Sequence, residues 1–247
     1  AVQAMQTNLV REFDFSRNQR LPSMIFVDIQ KSQIDGVMAM IEKAVGEKAE
    51  SVPTVRARIA AVNGEAVDFT QREIRQQQGQ IGREFAITYR PKLDDNESIV
   101  NGEWWTSANS DEPQVSVEQT MADTLSVKAG DSMTFDISGR KVTARVANVR
   151  KIDVRNARTA FVFVFRPGTL DKAPQSFAAT VLKHVPATDR QRLQRDILEK
   201  FPNVQIFDVA DIIAAVDKLV SNFVIAISFV GSFVLLSGIL ILIGSVA

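Results

Sequence analysis

The last 29 residues, 219–247, contain no charged side chain, and this run constrains the fold more than any other feature of the sequence. As an α-helix it would span roughly 43 Å, against about 30 Å for the hydrocarbon core of a bilayer. Its residues are mostly Leu, Ile, Val, Phe, Gly and Ser, which pack in lipid while the helix satisfies its own backbone groups. The alternative is a buried helix of a large soluble domain, but such helices seldom stay uncharged over this length. The run therefore predicts a transmembrane helix.

The residues before this run predict an amphipathic segment that continues into it. Asp208 and Asp211 mark a helix start, because one carboxylate can cap the helix and a second favours its positive first turn. Apolar residues then recur at three- and four-residue steps, at Val209, Ile212, Ile213, Val216, Leu219, Val220 and Phe223. Since no Gly or Pro separates the two parts, we expect one stalk helix that leaves the water, enters the membrane and can transmit motion between them.

Small residues recur every seven positions within the uncharged run, at Gly231, Gly238 and Ser245. Residues with this spacing lie roughly along one side of a helix, where small side chains allow another helix to approach closely. Chance spacing is the alternative, because membrane helices are rich in small residues. The stripe is a hypothesis for transmembrane packing.

The charges of the chain cancel, with 29 basic and 29 acidic residues, so net charge indicates neither nucleic-acid binding nor a basic membrane-surface patch. The absence of cysteine excludes disulfides, zinc–thiolate sites and thiol nucleophiles. About 218 residues precede the uncharged run, enough for one large domain or two small ones. The chain opens with Ala, has no signal-peptide pattern and stops at the membrane helix, so we expect a fragment of a larger membrane protein.

The region before the stalk predicts two strand–helix–strand units around a β-rich middle. The first has a strand at 24–29, a helix at 33–45 and a strand at 52–62 that ends in an Asn63–Gly64 turn. The closing unit has a strand at 176–184, a helix at 188–201 and a strand at 204–207. Between them we expect a helix at 118–125, a Ser138–Gly139 hairpin, and strands at 84–89, 115–117, 132–137, 141–149 and 158–165.

This pattern predicts an α+β fold, in which residues 24–64 and 174–207 form one split domain and residues 65–173 a small inserted β-rich module. Residues 1–23 are expected to form the end of a preceding transmembrane or stalk helix that Pro22 terminates. Residues 208–247 form the stalk helix and its transmembrane continuation. The Gln-rich part, 65–82, predicts an exposed helix or loop.

No constellation of catalytic or metal-binding residues is recognisable in the sequence. The stretch at 130–133, Gly-Asp-Ser-Met, resembles the signature of a serine-esterase class, but no general base accompanies it, so Ser132 is expected to be a turn residue. His184 is the only histidine and is expected to be structural. No Gly-x-x-x-x-Gly-Lys phosphate loop occurs. We therefore expect neither enzyme activity nor a bound cofactor.

Two further expectations concern aromatic and acidic side chains. Trp104 and Trp105 follow a predicted turn at Asn101–Gly102 and are interpreted as a packing lid, with a ligand platform as the alternative. The scattered carboxylates are expected to lie on solvated faces.

Stretches over nearly the whole chain are similar to one family. A strand–helix–turn–strand module of the MacB/FtsX-type ABC permeases resembles residues 115–137, VSVEQTMADTLSVKAGDSMTFDI. A narrower resemblance, to the YbbP-like branch, is carried by the stretches MIFVDIQKSQ, VRARIAAVNG, REFAITYR, IVNGEWW, FVFVFRPGTLDKAP and FPNVQIFDVADIIAAV. Met121, Thr124 and Arg166 depart from the commoner residues of that pattern.

The resemblance implies the extracytoplasmic part of an inner-membrane permease. In this family a membrane helix leads into an extracytoplasmic domain with a porter-like part and an inserted sabre-like β-part, and a second helix returns to the membrane. The resemblance also implies a separate cytoplasmic ATPase subunit that binds ATP, and a role in mechanotransmission. Residues 20–207 would then be periplasmic.

For the YbbP-like branch, the resemblance implies extraction or export of lipids or other hydrophobic compounds, with a periplasmic esterase as a possible further partner. Two alternatives stay open. One is an FtsX-like sensor or scaffold that regulates an extracytoplasmic hydrolase, although such domains are shorter than this chain. The other is a MacB-like efflux permease, whose docking role would require an adaptor.

Overall fold

The computed structural model of the chain describes residues 22–67, 84–107, 112–153 and 161–246. The helix expected before Pro22 and nearly all of the Gln-rich part lie outside these ranges. Contacts divide the chain into a domain, Arg20–Phe207, and a second unit that contains the residues from Asp208 onward.

Within the described ranges the chain forms four α-helices and eleven β-strands, which confirms the predicted mixture of helices and strands. The helices are α1 (Ile34–Val45), α2 (Gln119–Leu125), α3 (Ala187–Lys200) and α4 (Val209–Val246). The strands are β1 (Met24–Gln30), β2 (Glu50–Val62), β3 (Glu65–Ala66), β4 (Phe85–Tyr89), β5 (Glu97–Gly102), β6 (Gln114–Glu118), β7 (Ser132–Ile137), β8 (Arg140–Ile152), β9 (Phe163–Phe165), β10 (Ser176–Val181) and β11 (Gln205–Asp208).

One part of the domain is a sheet with strand order β11, β1, β10 and the first half of β2. β1 and β2 both pair with β10 in antiparallel fashion. The helices α1 and α3 share a core with this sheet, in which Ile41 and Ile197 are fully buried. Val37, Ile41 and Val45 form the buried side of α1 because they are four residues apart, and Gly46 ends the helix in a left-handed conformation at φ +75°.

The second half of β2 enters a closed ring of six strands. β2 pairs with β4, β4 with β9, β9 with β6, β6 with β8, β8 with β7, and β7 again with β2. Side chains of β7 are alternately buried inside the ring and partly exposed, as the period of a strand requires. In the ring's core Phe135 packs edge-on against Phe163 and Phe165, with centroids 5.1 Å apart in each pair. β5 extends the ring's sheet by pairing with β8.

β2 runs through both parts of the domain. Residues 50–54 pair with β10, while Val55, Ala57 and Ile59 lie in the core of the six-stranded ring. The predicted split into residues 24–64 with 174–207 and an inserted module at 65–173 stays a prediction, as do its porter-like and sabre-like descriptions.

Both predicted tight turns are observed. Asn63–Gly64 and Ser138–Gly139 each have positive φ at both residues, at 48° and 83° in the first and 52° and 86° in the second. This is the geometry that matches the twist of two hairpin strands.

Two sequence-based expectations differ from the structure. The turn predicted at Asn101–Gly102 is wrong, because these residues end strand β5, which pairs with Ile152 to Asn148 of β8. The strand predicted at 176–184 stops at Val181, because its partner β1 begins opposite that residue at Met24. Both differences arise from strand pairing, which the local pattern of residue types does not predict.

Candidate functional site

The helix α4 runs without interruption for 38 residues. Asp208 caps it, since its Oδ1 accepts a hydrogen bond from the backbone N–H of Asp211 at 3.0 Å. The carboxylate of Asp211 adds a second negative charge near the positive end of the helix dipole. The predicted helix start and its continuity are therefore observed, while the transmission role assigned to it stays a prediction.

The apolar side chains of α4 are unburied within the described part of the chain. The predicted stalk residues are all at least partly exposed: Val209, Ile212, Ile213, Val216, Leu219, Val220 and Phe223. Phe223 is 68% exposed and Phe229 74%. The span Val209–Phe233 is long and apolar enough to cross a membrane, by its length and composition.

Exposed residues of α4 also follow an alternating four- and three-residue spacing. The positions are Ile212, Val216, Leu219, Phe223, Ala226, Val230 and Phe233. This spacing places them along one seam of the helix, the arrangement by which one helix packs against another. The seam starts in the part of α4 that still contains charged residues and continues into the uncharged part.

The predicted small-residue stripe lies in the same helix. At Gly231 the space that a Cβ would occupy has no neighbouring atom within 4 Å. Gly238 and Ser245 belong to α4, but their surroundings lie outside the described side chains. Their role in helix packing stays a prediction.

α4 follows strand β11 directly, with no linker residue between Asp208 and Val209. A group of polar side chains lies beside this strand; we call it the junction cluster, and it comprises Asp28, Gln33, Arg56, Asn203 and Gln205. Arg56 Nη2 donates to both carboxylate oxygens of Asp28, at 3.0 and 2.9 Å. Gln205 Nε2 donates to Asp28 Oδ2 at 3.2 Å, and Asn203 Nδ2 donates to the Asp28 carbonyl oxygen at 3.0 Å. The hydrogen bond and charge of Asp28 raise the pKa of Arg56.

A second polar cluster lies inside the domain around Arg150 of β8. The side chain of Arg150 is 0% exposed and that of its partner Glu97 is 1% exposed. Arg150 Nε donates to Glu97 Oε1 at 3.1 Å, and Nη1 donates to the carbonyl oxygen of Ser116 at 2.9 Å. Its Nη2 donates to the carbonyl oxygen of Phe161. Burial lowers the pKa of Arg150, and the negative charge of Glu97 opposes that shift.

Arg90 extends this cluster towards the surface. Its guanidinium forms ion pairs with Glu97 and Asp94. The indole N–H of Trp105 donates to the Arg90 carbonyl oxygen at 3.1 Å, and the ring of Trp104 lies 6.0 Å from the Arg90 guanidinium. The two indole rings are tilted against each other with centroids 4.0 Å apart. This geometry favours the packing interpretation of the tryptophan pair.

The expectation that all carboxylates are solvated is wrong for Glu97. Its two ion-pair partners, Arg90 and Arg150, are 7 and 53 positions away. No motif or spacing connects such positions, so only the pairing of β5 with β8 reveals the cluster. In β8 the three consecutive residues Asn148, Val149 and Arg150 are all buried, which the alternation of a strand does not predict.

Ser132, His184 and Arg166 each lie in a different part of the domain. Ser132 begins β7, and its backbone N–H donates to Asn63 Oδ1 at 2.9 Å, as expected of a residue that leaves a turn. His184 is exposed, so the structural role expected for it has no packing basis. Arg166, the departure from the family pattern, is buried, and its Nη1 donates to Gln114 Oε1 at 3.2 Å. Among the described residues, no three His, Asp or Glu side chains are grouped so that they could hold a metal ion.

The sequence comparison connects the chain to one class of membrane protein. No protein-family profile matches it. It is 26% identical over 195 residues to the uncharacterised ABC transporter permease YbbP of Escherichia coli (strain K12). The chain is thus similar in sequence to a protein described as an ABC transporter permease. The resemblance inferred from the motifs is therefore confirmed.

The matched region is 79% of this chain but 22% of YbbP, so the chain spans about a fifth of that relative's length. Among solved structures, the chain is similar to a crystal structure described as a domain of a permease protein from Porphyromonas gingivalis. That alignment has a TM-score of 0.38 and 9% identity, and it covers 76% of this chain and 89% of the other. The similarity to YbbP and the length and composition of α4 together indicate a membrane location.

Proposed function

We propose that the chain is the extracytoplasmic domain and returning membrane helix of an ABC-type permease, and that it transmits ATP-driven conformational change across the inner membrane. The observation that carries this proposal is α4, which is uninterrupted, capped at Asp208 and joined to β11 without a linker. A helix of this length extends about 57 Å, enough to cross the bilayer and leave several turns in water. Similarity to the permease YbbP supports the same assignment.

The proposal includes the partners of the permease. A separate cytoplasmic ATPase subunit would bind and hydrolyse ATP, in agreement with a sequence that has no phosphate-binding loop. The compounds moved would be lipids or other hydrophobic molecules taken from the bilayer, with a periplasmic esterase as a further partner. α4 would contact the bilayer directly through its exposed apolar side chains.

Replacing Ala214 and Ala215 with glycines tests the transmission role of α4. Both alanines are exposed, so the change removes no packing and costs about 2 kcal/mol of helix propensity. We expect the domain to stay folded and the partner to keep hydrolysing ATP, while the variant fails to complement a deletion strain. The measurement is growth or export in that strain beside ATPase activity of the purified complex.

The matched control replaces the same two alanines with glutamines, which are good helix formers and are expected to preserve function. Full complementation by the double-glycine variant would show that α4 is an anchor only.

Labelling of introduced cysteines tests the proposed periplasmic location of the domain. Residues 1–247 contain no cysteine, so Lys172→Cys and Glu199→Cys, both at exposed positions, each introduce the one thiol within these residues. In cells whose outer membrane is opened, a membrane-impermeant maleimide is expected to label both variants. Labelling that occurs only after the inner membrane is permeabilised would place the domain in the cytoplasm.

A further inference from the structure

Asp28 has an unusual backbone conformation for a residue inside a strand. Its φ is +60°, in the left-handed region, where aspartate is one of the few non-glycine residues tolerated. The register between β1 and β10 shifts between Phe26 and Ile29, so the irregularity of the strand coincides with Asp28. Irregularities of this kind turn a side chain away from its regular direction. Here the Asp28 carboxylate contacts Arg56 of β2, although β10 lies between β1 and β2 in the sheet.

The junction cluster connects three strands through this one residue. Arg56 reaches Asp28 from β2, and Gln205 reaches the same carboxylate from β11. Asn203, just before β11, donates to the carbonyl oxygen of Asp28. Asn203 is itself held by Gln33, because the two side-chain amides exchange hydrogen bonds of 2.7 and 3.0 Å. The last strand before α4 is thus attached to the sheet by side chains as well as by its backbone ladder.

A neighbouring ion pair shows what an ordinary surface contact looks like on the same strand. Arg58, two residues after Arg56, pairs with Glu84 at 3.2 Å. The two arginine side chains are almost equally exposed, at 63% and 64%. Asp28 is less exposed than Glu84, at 25% against 45%, and only Asp28 also binds β11. Arg58 therefore provides a control that matches Arg56 in charge and in exposure.

We propose that Asp28 is a positioning residue that clamps β11, the strand that leads into α4, to the sheet. The proposal rests on the transmission function proposed above. Charge-assisted hydrogen bonds are stronger than neutral ones. Here the Asp28 carboxylate accepts such bonds from Arg56 of β2 and also accepts a hydrogen bond from Gln205 of β11. Loss of the clamp is expected to loosen β11 without unfolding the core, because the strand lies at the edge of the sheet.

Hydrogen–deuterium exchange of the complete chain in detergent tests the clamp directly. The variants are Asp28→Asn, Arg56→Gln and the double substitution, with Arg58→Gln as control; asparagine suits Asp28 because it also tolerates positive φ. We expect amides of residues 205–208 to exchange about three- to tenfold faster than in the wild type in either single variant. The double variant should exchange no faster than the single variants, because both substitutions remove the same interaction. Arg58→Gln should leave those amides within about twofold of the wild type, and β10 should be unchanged in all variants.

Unchanged exchange at residues 205–208 in Asp28→Asn would overturn the clamp, as would an equal effect of Arg58→Gln. The same variants are then assayed with the partner ATPase, where Asp28→Asn is expected to hydrolyse ATP normally and to complement less well than Arg58→Gln. Faster exchange with full complementation would overturn the positioning role. Because exchange is read from this chain alone, it reports on the clamp even if the double-glycine variant of α4 disproves the transmission function.

Discussion

Replacing Glu97 with alanine is expected to lower the free energy of unfolding of the domain by about 3–5 kcal/mol, the range measured when one partner of a buried ion pair is removed. The side chain of Arg150 is fully buried, and Glu97 is its ion-pair partner. Without Glu97, that charge would lie in the interior with only neutral hydrogen-bond acceptors. For a domain of this size, the midpoint of thermal unfolding should fall by roughly 10 °C.

Fluorescence is a suitable measurement, because the two tryptophans of the chain contact this cluster at Arg90. Glu84→Ala, which removes the partner of the exposed Arg58, is the control and should cost less than about 1 kcal/mol. Combining Glu97→Leu with Arg150→Met should recover part of the loss, since the uncompensated charge is then gone. Equal effects of Glu97→Ala and Glu84→Ala would contradict the importance of the buried pair.

Replacing Gly102 with alanine is the second change with a large expected effect. Gly102 ends β5 at φ +82°, and a Cβ there would overlap the carbonyl oxygen of Ala147 and lie 2.8 Å from the Cβ of Ala129. The variant carries both the cost of left-handed backbone and the cost of a clash with β8. Together these should destabilise the domain by roughly 2–5 kcal/mol.

Gly139→Ala separates the two costs, because Gly139 has a similar φ of +86° but no atom within 4 Å of its would-be Cβ. It should cost about 1–2 kcal/mol from backbone strain alone. Both free energies of unfolding are measured under the same conditions, and the difference between them gives the energetic cost of the clash. A difference near zero would mean that β5 moves away from β8 without cost, against the close packing observed.

The parts of this protein that could be predicted from the sequence depend on neighbouring residues. α4 is an example, because an uncharged run, apolar spacing and a capping carboxylate at Asp208 all lie within one stretch of chain. The turns at Asn63–Gly64 and Ser138–Gly139 are others, since each places a glycine, which adopts positive φ readily, at the end of a predicted strand. The family resemblance also came from contiguous stretches, and the similarity to YbbP confirms it.

The contacts that only the tertiary structure decides join residues that are distant in sequence. Arg150 and Glu97 are 53 positions apart, and Gln205 and Asp28 are 177 apart. Whether a charged side chain is buried depends on which strand lies opposite it, and alternation of residue types sets the faces of a strand but not its partner. The sequence by itself therefore determined the long apolar helix, its capped start and most of the other helices and strands, but not β3 or β5. The closed ring of six strands, the buried ion pair and the clamp on β11 depend on strand pairing, because long-range pairing energies have no counterpart in local spacing.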